Sequence, residues 1–212
     1  MGLPDALASA AAGMRTQTSR LDTIAENLAN AATPGYRVRQ AVVGGFGDAM
    51  RSAEVAGSSQ GPLRHTGVST DLALVGSGFF AVAGEHGIDY TRDGRMTLDA
   101  DGALCDARGR HVLGSLGAVH LPRGSIIHSD GRIFAHGAVI DRLRIVDVVD
   151  GKPQRSTAAV RCGYLEDSGV EPIVQMTSLV AAERAFEADQ KAAQQADEAL
   201  KRAVTELPQV RP

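Results

Sequence analysis

Apolar positions near the start of the chain fall into two interleaved seven-residue series. One is Leu7, Met14, Leu21 and Leu28; the other is Leu3, Ala10 and Ile24, with Gln17 as its one polar member. That interval marks a narrow helical seam suited to a partner helix, not the broad face of a helix lying on a sheet. It predicts a helix from residue 3 to about 32. The helix stops at Thr33-Pro34-Gly35, because the residue before proline is pushed out of the helical region and glycine completes a turn.

The other end repeats the pattern. From Pro172 to about Leu207, apolar residues stand at Met176, Leu179, Phe186, Ala193, Ala196, Leu200, Ala203 and Leu207, while Glu183, Arg184, Asp189, Lys191, Gln194 and Glu198 occupy the opposite face. Pro172 suits a first helical turn, where no amide donor is needed. Each stripe could simply be buried on its own domain. Because both terminal helices carry a seam and flank a region of different character, pairing with each other and with neighbouring subunits is the preferred reading.

Between the helices the period changes. Residues 37–70 are looser, and "GSSQGPLRHTG" (57–67) reads as a linker or extended segment. Residues 71–165 read as an all-β domain. Short β-like runs (79–83, 95–98, 111–113, 125–128, 132–135, 143–149) alternate with turn signals at Asp93-Gly94, Asp101-Gly102, Arg108-Gly109, Arg123-Gly124, Asp130-Gly131 and Asp150-Gly151. Such spacing fits a chain of hairpins in a small sandwich or barrel-like fold, the glycines supplying the positive φ of tight turns. No helix-period segment interrupts the run, which argues against a parallel βαβ sheet.

Composition narrows the function. A net charge of −3 with 22% charged residues excludes nucleic acid or a membrane surface as a main partner. No apolar run approaches a membrane span, so membrane insertion is not expected. Pro4 and Asp5 interrupt any secretory signal, and an exported chain is expected to travel without a cleaved signal peptide. Cys105 and Cys162 lie in separate strand-like segments; one disulfide is conceivable, but two separate buried thiols are the preferred reading.

No reaction centre survives its structural alternative. His65, His86, His111, His120, His128 and His136 show no metal-ligand pairing at short helical or CxxC-like intervals. Asp99-Ala100-Asp101-Gly102 lacks the remaining ligands of a calcium loop and reads as a hairpin turn. Gly76-Ser77-Gly78 has neither the spacing nor the strand-to-helix setting of a nucleophile elbow. No catalytic residue, cofactor, metal or small-molecule substrate is expected.

Three segments together carry a resemblance. "LDTIAENLANAATPGYR" (21–37), with Asn27, Leu28, Ala29, Asn30, Thr33, Gly35 and Tyr36, resembles the N-terminal signature of the axial rod-and-hook family of the bacterial flagellum. "TDLALVGSGFFAV" (70–82) and "YTRDGRMTLDADGALCDARGRHVLG" (90–114) are similar to the segments that open that family's β domain. "GYLEDSGVEPIVQMTSLVAAERAFEADQKAAQQADEAL" (163–200) is similar to its closing motif, through Glu166, Ser168, Val170, Met176, Arg184, Phe186, Glu187, Lys191, Asp197 and Leu200. Gly169 departs from that motif, where asparagine is usual.

The resemblance implies a non-enzymatic structural protein of α+β class. An all-β centre of short hairpins (71–165) would be flanked by an N-terminal helical assembly segment (1–36), an extended linker (37–70) and a C-terminal helical assembly segment (166–212), the helices pairing as a coiled coil. The implied assembly interface is Leu7, Met14, Leu21, Ile24, Leu28, Met176, Leu179, Phe186, Ala193 and Leu200, with Asn27, Asn30, Gly35, Tyr36, Arg184 and Glu187 as family-motif positions. The implied partners are copies of itself, other rod and hook axial proteins and the flagellar export apparatus, in the rod of the basal body within the cell envelope. The run 116–154 resembles the proximal-rod branch, which ranks ahead of distal rod and hook. The competing class is a soluble β-domain binding module dimerised by its helices.

Overall fold

The computed structural model describes residues 3–43, 52–56, 60–149 and 152–206. Two long helices bracket the chain: α1, Leu3–Ala29, and α2, Pro172–Glu206. Between them run β1 (Arg39–Val43), β2 (Ser52–Ala56), β3 (Leu63–His65), β4 (Leu72–Val75), β5 (Phe79–Gly84), β6 (Gly87–Thr91), β7 (Thr97–Leu98) and β8 (Leu104–Cys105). There follow β9 (Ile126–Ile127), β10 (Arg132–Ala135), β11 (Ala138–Arg142), β12 (Ile145–Val149), β13 (Lys152–Arg155), β14 (Ala159–Cys162) and β15 (Tyr164–Glu166). The architecture is α+β with short antiparallel strands throughout. Among the described residues, no helix is long and apolar enough to cross a membrane.

Two units divide the chain. One gathers α1, the antiparallel β1–β2 hairpin and α2. Residues 37–70, expected as an extended linker, therefore contribute three paired strands, because Arg39–Val43 and Ser52–Ala56 satisfy each other's backbone groups and β3 finds a partner late in the chain. The described part of the 57–67 stretch is residues 60–67. Asp150-Gly151 and Leu207 lie outside the described residues.

The other unit holds residues 30–38 and the strands from β3 onward. Its largest sheet runs β13–β12–β5–β6, and a second runs β11–β10–β9. The late strands return to the early ones: β14 pairs with β4 and β15 with β3. Alternate residues of these strands point inward, so Leu72 and Leu74, Phe80 and Val82, Leu104, Val112 and Ile133 share one fully buried core.

The turns follow the sequence with one change of reason. Gly102, Gly109, Gly124 and Gly131 take the positive φ expected of them, from 77° to 82°. Gly94 does not need it. Its backbone lies against β4, where a Cβ would stand 1.6 Å from the Leu72 carbonyl oxygen, so glycine is required there for closeness. Of the expected strand 95–98, only Thr97–Leu98 pairs, with β8.

Asp106 closes the turn at 106–110. Its Oδ1 accepts the backbone N–H groups of Arg108 and Arg110, each at 2.9 Å, and its Oδ2 accepts from the Arg110 guanidinium. Burial pushes its pKa up, but the donors from Arg110 and Arg108 prevail and hold it below the ordinary carboxylate value. A depressed folded-state pKa contributes stability that is present above the unfolded value and lost as pH falls through the folded one. Asp106→Asn is therefore expected to shrink the difference in urea midpoint between pH 7 and about pH 3. An undiminished difference would count against this.

Candidate assembly interface

The helical unit is built on small residues. Among the described side chains, the buried positions are Ala10, Thr23 and Asn27 in α1 and Ala182 and Ala196 in α2. Thr23 is tolerated inside a helix because its hydroxyl donates to the Ser19 carbonyl at 2.9 Å. α1 and α2 pack against one another with opposed chain directions: Asn27 meets Gln175, while Gly13, earlier in α1, lies against Asp189, later in α2. A Cβ on Gly13 would stand 2.7 Å from an Asp189 carboxylate oxygen.

The seam residues are less covered. Met14, Leu21, Ile24 and Leu28 of α1 are half-buried, as are Leu179, Phe186, Ala193 and Leu200 of α2. Met176 is 53% exposed, and the Leu7 side chain lies outside what the structure describes. The seam positions are thus partly covered, while the most buried positions described in either helix are small or polar. Large apolar side chains are conspicuous in a sequence, but the buried places described in these helices go to alanine, threonine and asparagine, and Gly13 lies close against Asp189.

Asn27 ties the hairpin to α1. Its side-chain amide donates to the Arg39 carbonyl and its oxygen accepts the Arg39 N–H, both at 2.9 Å, mimicking a strand neighbour. Glu26 pairs with the Arg39 guanidinium at 2.9 Å. Arg184 and Glu187 are exposed on α2.

In the β unit, residues 30–38 are fastened to a buried charge pair. Thr33 donates its N–H to the Asn30 carbonyl, and Tyr36 donates to that of Thr33, so the segment coils tightly. Gly35 has φ 69° and donates its N–H to the Glu166 carbonyl at 2.7 Å. A Cβ there would stand 2.4 Å from the Arg92 carbonyl oxygen, so glycine is needed both for conformation and for space. Gly169 donates to the Tyr36 carbonyl through its backbone alone, and the departure from asparagine leaves that bond intact.

Beneath this loop, Arg92 Nε donates to Glu166 Oε2 at 2.6 Å, and both side chains are only 2% exposed. The remaining Arg92 donors satisfy the carbonyls of Leu74, Gly76 and Gly78. Glu166 Oε1 accepts the Gly61 N–H at 3.2 Å. Burial pushes the Arg92 pKa down and Glu166 pulls it back, without threatening a charge that arginine keeps throughout the working pH range. The pair holds four backbone groups within 60–78, the Gly61 N–H and the carbonyls of Leu74, Gly76 and Gly78. Sequence reasoning placed Glu166 in a motif but did not foresee its partner, since nothing along the chain relates residue 92 to residue 166.

The cysteines are both free thiols, Cys105 buried and Cys162 half-buried. Ser77 donates to Asp147 at 2.6 Å in an exposed turn. Asp99 Oδ1 accepts the N–H groups of Asp101 and Ala103, as a hairpin turn requires. Pairing across strands does bring together Asp99, Cys105 and His111, which the spacing argument, made along the chain, had left apart.

Comparison with known proteins matches three parts of the chain. The model described as "Flagella basal body rod protein" matches residues 7–37, "Flagellar hook protein FlgE/F/G D1 domain" matches 73–139, and "Flagellar basal body rod FlgEFG protein C-terminal" matches 162–206. The flagellar basal-body rod protein FlgF of Mesorhizobium japonicum is 31% identical over 94% of this chain and 98% of its own length. The chain belongs to the flagellar basal-body rod protein family. FlgF of Caulobacter vibrioides is likewise 31% identical, over 91% of this chain and 93% of its own. The flagellar hook protein FlgE of Brucella abortus is 35% identical but over 54% of this chain and 32% of its own. The rod family's N-terminal match ends at Arg37, just past the Gly35 loop, and its C-terminal match opens just before Glu166. The two outer matches thus meet, in space, at the Gly35–Glu166 hydrogen bond within the β unit.

Proposed function

We propose that the chain is a structural, non-catalytic subunit of the flagellar basal-body rod, of the proximal FlgF type. In this reading its terminal helices pair as a coiled coil and polymerise with copies and relatives into the axial shaft. The observation that carries it is an apolar stripe on α2. Ile173, Met176 and Val180 are 78%, 53% and 47% exposed. At 100° per residue they lie roughly opposite Ala182, the residue buried on the α1 side. Near its N-terminal end α2 is thus covered on one side and apolar on the other, as expected where a second helix docks. A head-to-tail contact of this kind that does not close on itself generates a filament.

Full-length similarity to FlgF relatives, against a match to 32% of a hook protein, favours rod over hook. The reading includes passage through the flagellar export apparatus and a place in the cell-envelope section of the rod. A strain lacking the gene is expected to be non-motile, with basal bodies that stop within the rod; normal motility and complete rods would overturn the assignment. In the free monomer a helix pair with one uncovered apolar face is marginal. Limited proteolysis is expected to cut within 1–36 and 166–212 before 71–165, whereas fully protected ends in a monomer would contradict assembly-coupled folding.

A further inference from the structure

The strand register of the β unit places four potential metal ligands on one face. Thr97 pairs with Cys105, the Asp99 N–H bonds to the Ala103 carbonyl, Cys105 pairs with His111, and Ala103 pairs with His120. Residues opposite one another share a face, so Asp99, Cys105, His111 and His120 surround the small Ala103. The other face carries Leu104, Val112 and Val119 into the core. Cys105 and His111 are especially close, because they sit between two hydrogen-bonded pairs, Asp106 with Arg110 and Leu104 with Val112. Such non-hydrogen-bonded positions bring side chains nearest together.

We propose that Asp99, Cys105 and His111 form a binding site for a divalent transition-metal cation of borderline softness, Zn²⁺ in preference to Mg²⁺ or Ca²⁺. The distances are those of a tetrahedral edge. Cys105 Sγ lies 3.5 Å from His111 Nδ1 and 3.9 Å from Asp99 Oδ2, and the last two atoms are 3.7 Å apart. An ion about 2.3 Å from sulfur and about 2.0 Å from nitrogen and oxygen holds its ligands roughly 3.3–3.6 Å apart. Closure needs shifts of a few tenths of an ångström.

The ligands are also held in place. Asp99 Oδ1 is occupied by two backbone N–H groups, which aim Oδ2 at the thiol. Asp106, the other nearby carboxylate, is committed to Arg108 and Arg110 and does not compete. A thiol, an imidazole and a single carboxylate select a borderline ion over the hard cations, which take all-oxygen sets. The fourth position is left to water, with His120 on the same face. Burial, and after it the Asp99 and Asp106 carboxylates, push the Cys105 thiol up, a bias that a dication would reverse. Binding converts the thiol to a metal-bound thiolate and releases its proton to solvent. Bound metal would staple the 99–111 meander, whose named strands are two residues long.

The test uses the untagged full chain, reduced and stripped of metal by chelation, and titrated with Co²⁺. Expected are the visible bands of tetrahedral Co²⁺ and a thiolate-to-cobalt charge-transfer band, both displaced by Zn²⁺ and accompanied by a higher thermal midpoint. Cys105→Ser should abolish the charge-transfer band. His111→Ala, at a side chain 47% exposed and so harmless to folding, should weaken Zn²⁺ binding more than about a hundredfold, beyond what outer-shell losses cost. Cys162→Ser should change nothing. Absence of the charge-transfer band in the parent protein, its persistence in Cys105→Ser, or unchanged Zn²⁺ affinity in His111→Ala would each overturn the site.

Discussion

Glu166→Ala is expected to cost the β unit about 3–5 kcal/mol, the range for removing one partner of a buried ion pair. The variant leaves the Arg92 guanidinium out of water, still bonded to the carbonyls of Leu74 and Gly76 but without a counter-charge. It also strips the Gly61 N–H of its acceptor. Glu166→Gln should be milder, since an amide oxygen can still accept from Arg92 or Gly61. Arg92→Met should be at least as severe as Glu166→Ala, because it strands the carboxylate and the carbonyls of Leu74, Gly76 and Gly78 together. Amide exchange of residues 60–78, followed by mass spectrometry, should accelerate by about two to four orders of magnitude in Glu166→Ala, each decade corresponding to about 1.4 kcal/mol. Gly35→Ala should weaken the same joint, and the double variant should fall short of the sum of the singles because the two sites are in contact. A Glu166→Ala protein within 1 kcal/mol of the parent would show that the pair has no structural weight.

That joint also marks the limit of what could be read from the chain. The helices, the break at Pro34 and the β character of 71–165 were legible, because each depends on local periodicity or on proline and glycine stereochemistry. Asn27, Gly35 and Glu166 were recognised through motifs. Their physical roles were not visible, since each depends on a residue distant in sequence: Arg39 for Asn27, Arg92 for Gly35 and again for Glu166. The hairpin β1–β2 was missed because "RQAVV" and "SAEVA" are short and carry no tight-turn signal in register between them. The Asp99–Cys105–His111 trio was missed for a related reason. Its members are six residues apart, an interval that belongs to no helix or metal-knuckle pattern and acquires meaning only when three strand segments fold across one another.

Ile173→Asp combined with Met176→Asp is expected to abolish rod assembly while leaving the monomer folded. Both side chains are exposed on α2, so substitution there should change monomer stability by no more than about 0.5 kcal/mol per site. In the proposed shaft the same positions would be covered. Each would forfeit about 1.5–3 kcal/mol of apolar burial and place a carboxylate in a desolvated contact besides. Even the lost burial alone weakens the subunit contact by roughly two to four decades. The double variant should therefore be produced at parental levels, give a parental far-ultraviolet circular dichroism spectrum and fail to restore motility to a deletion strain. Leu28→Asp and Phe186→Asp differ in a diagnostic way. Those residues are half-buried within the helical unit, so they should lose helix content in the monomer as well as motility, with the β unit still folded. Were the Ile173/Met176 variant to swim normally, the exposed stripe of α2 would not be a subunit contact. Were it to lose helicity as Phe186→Asp does, the stripe would belong to the monomer's own packing, and the division of α2 into a covered face and a docking face would be wrong.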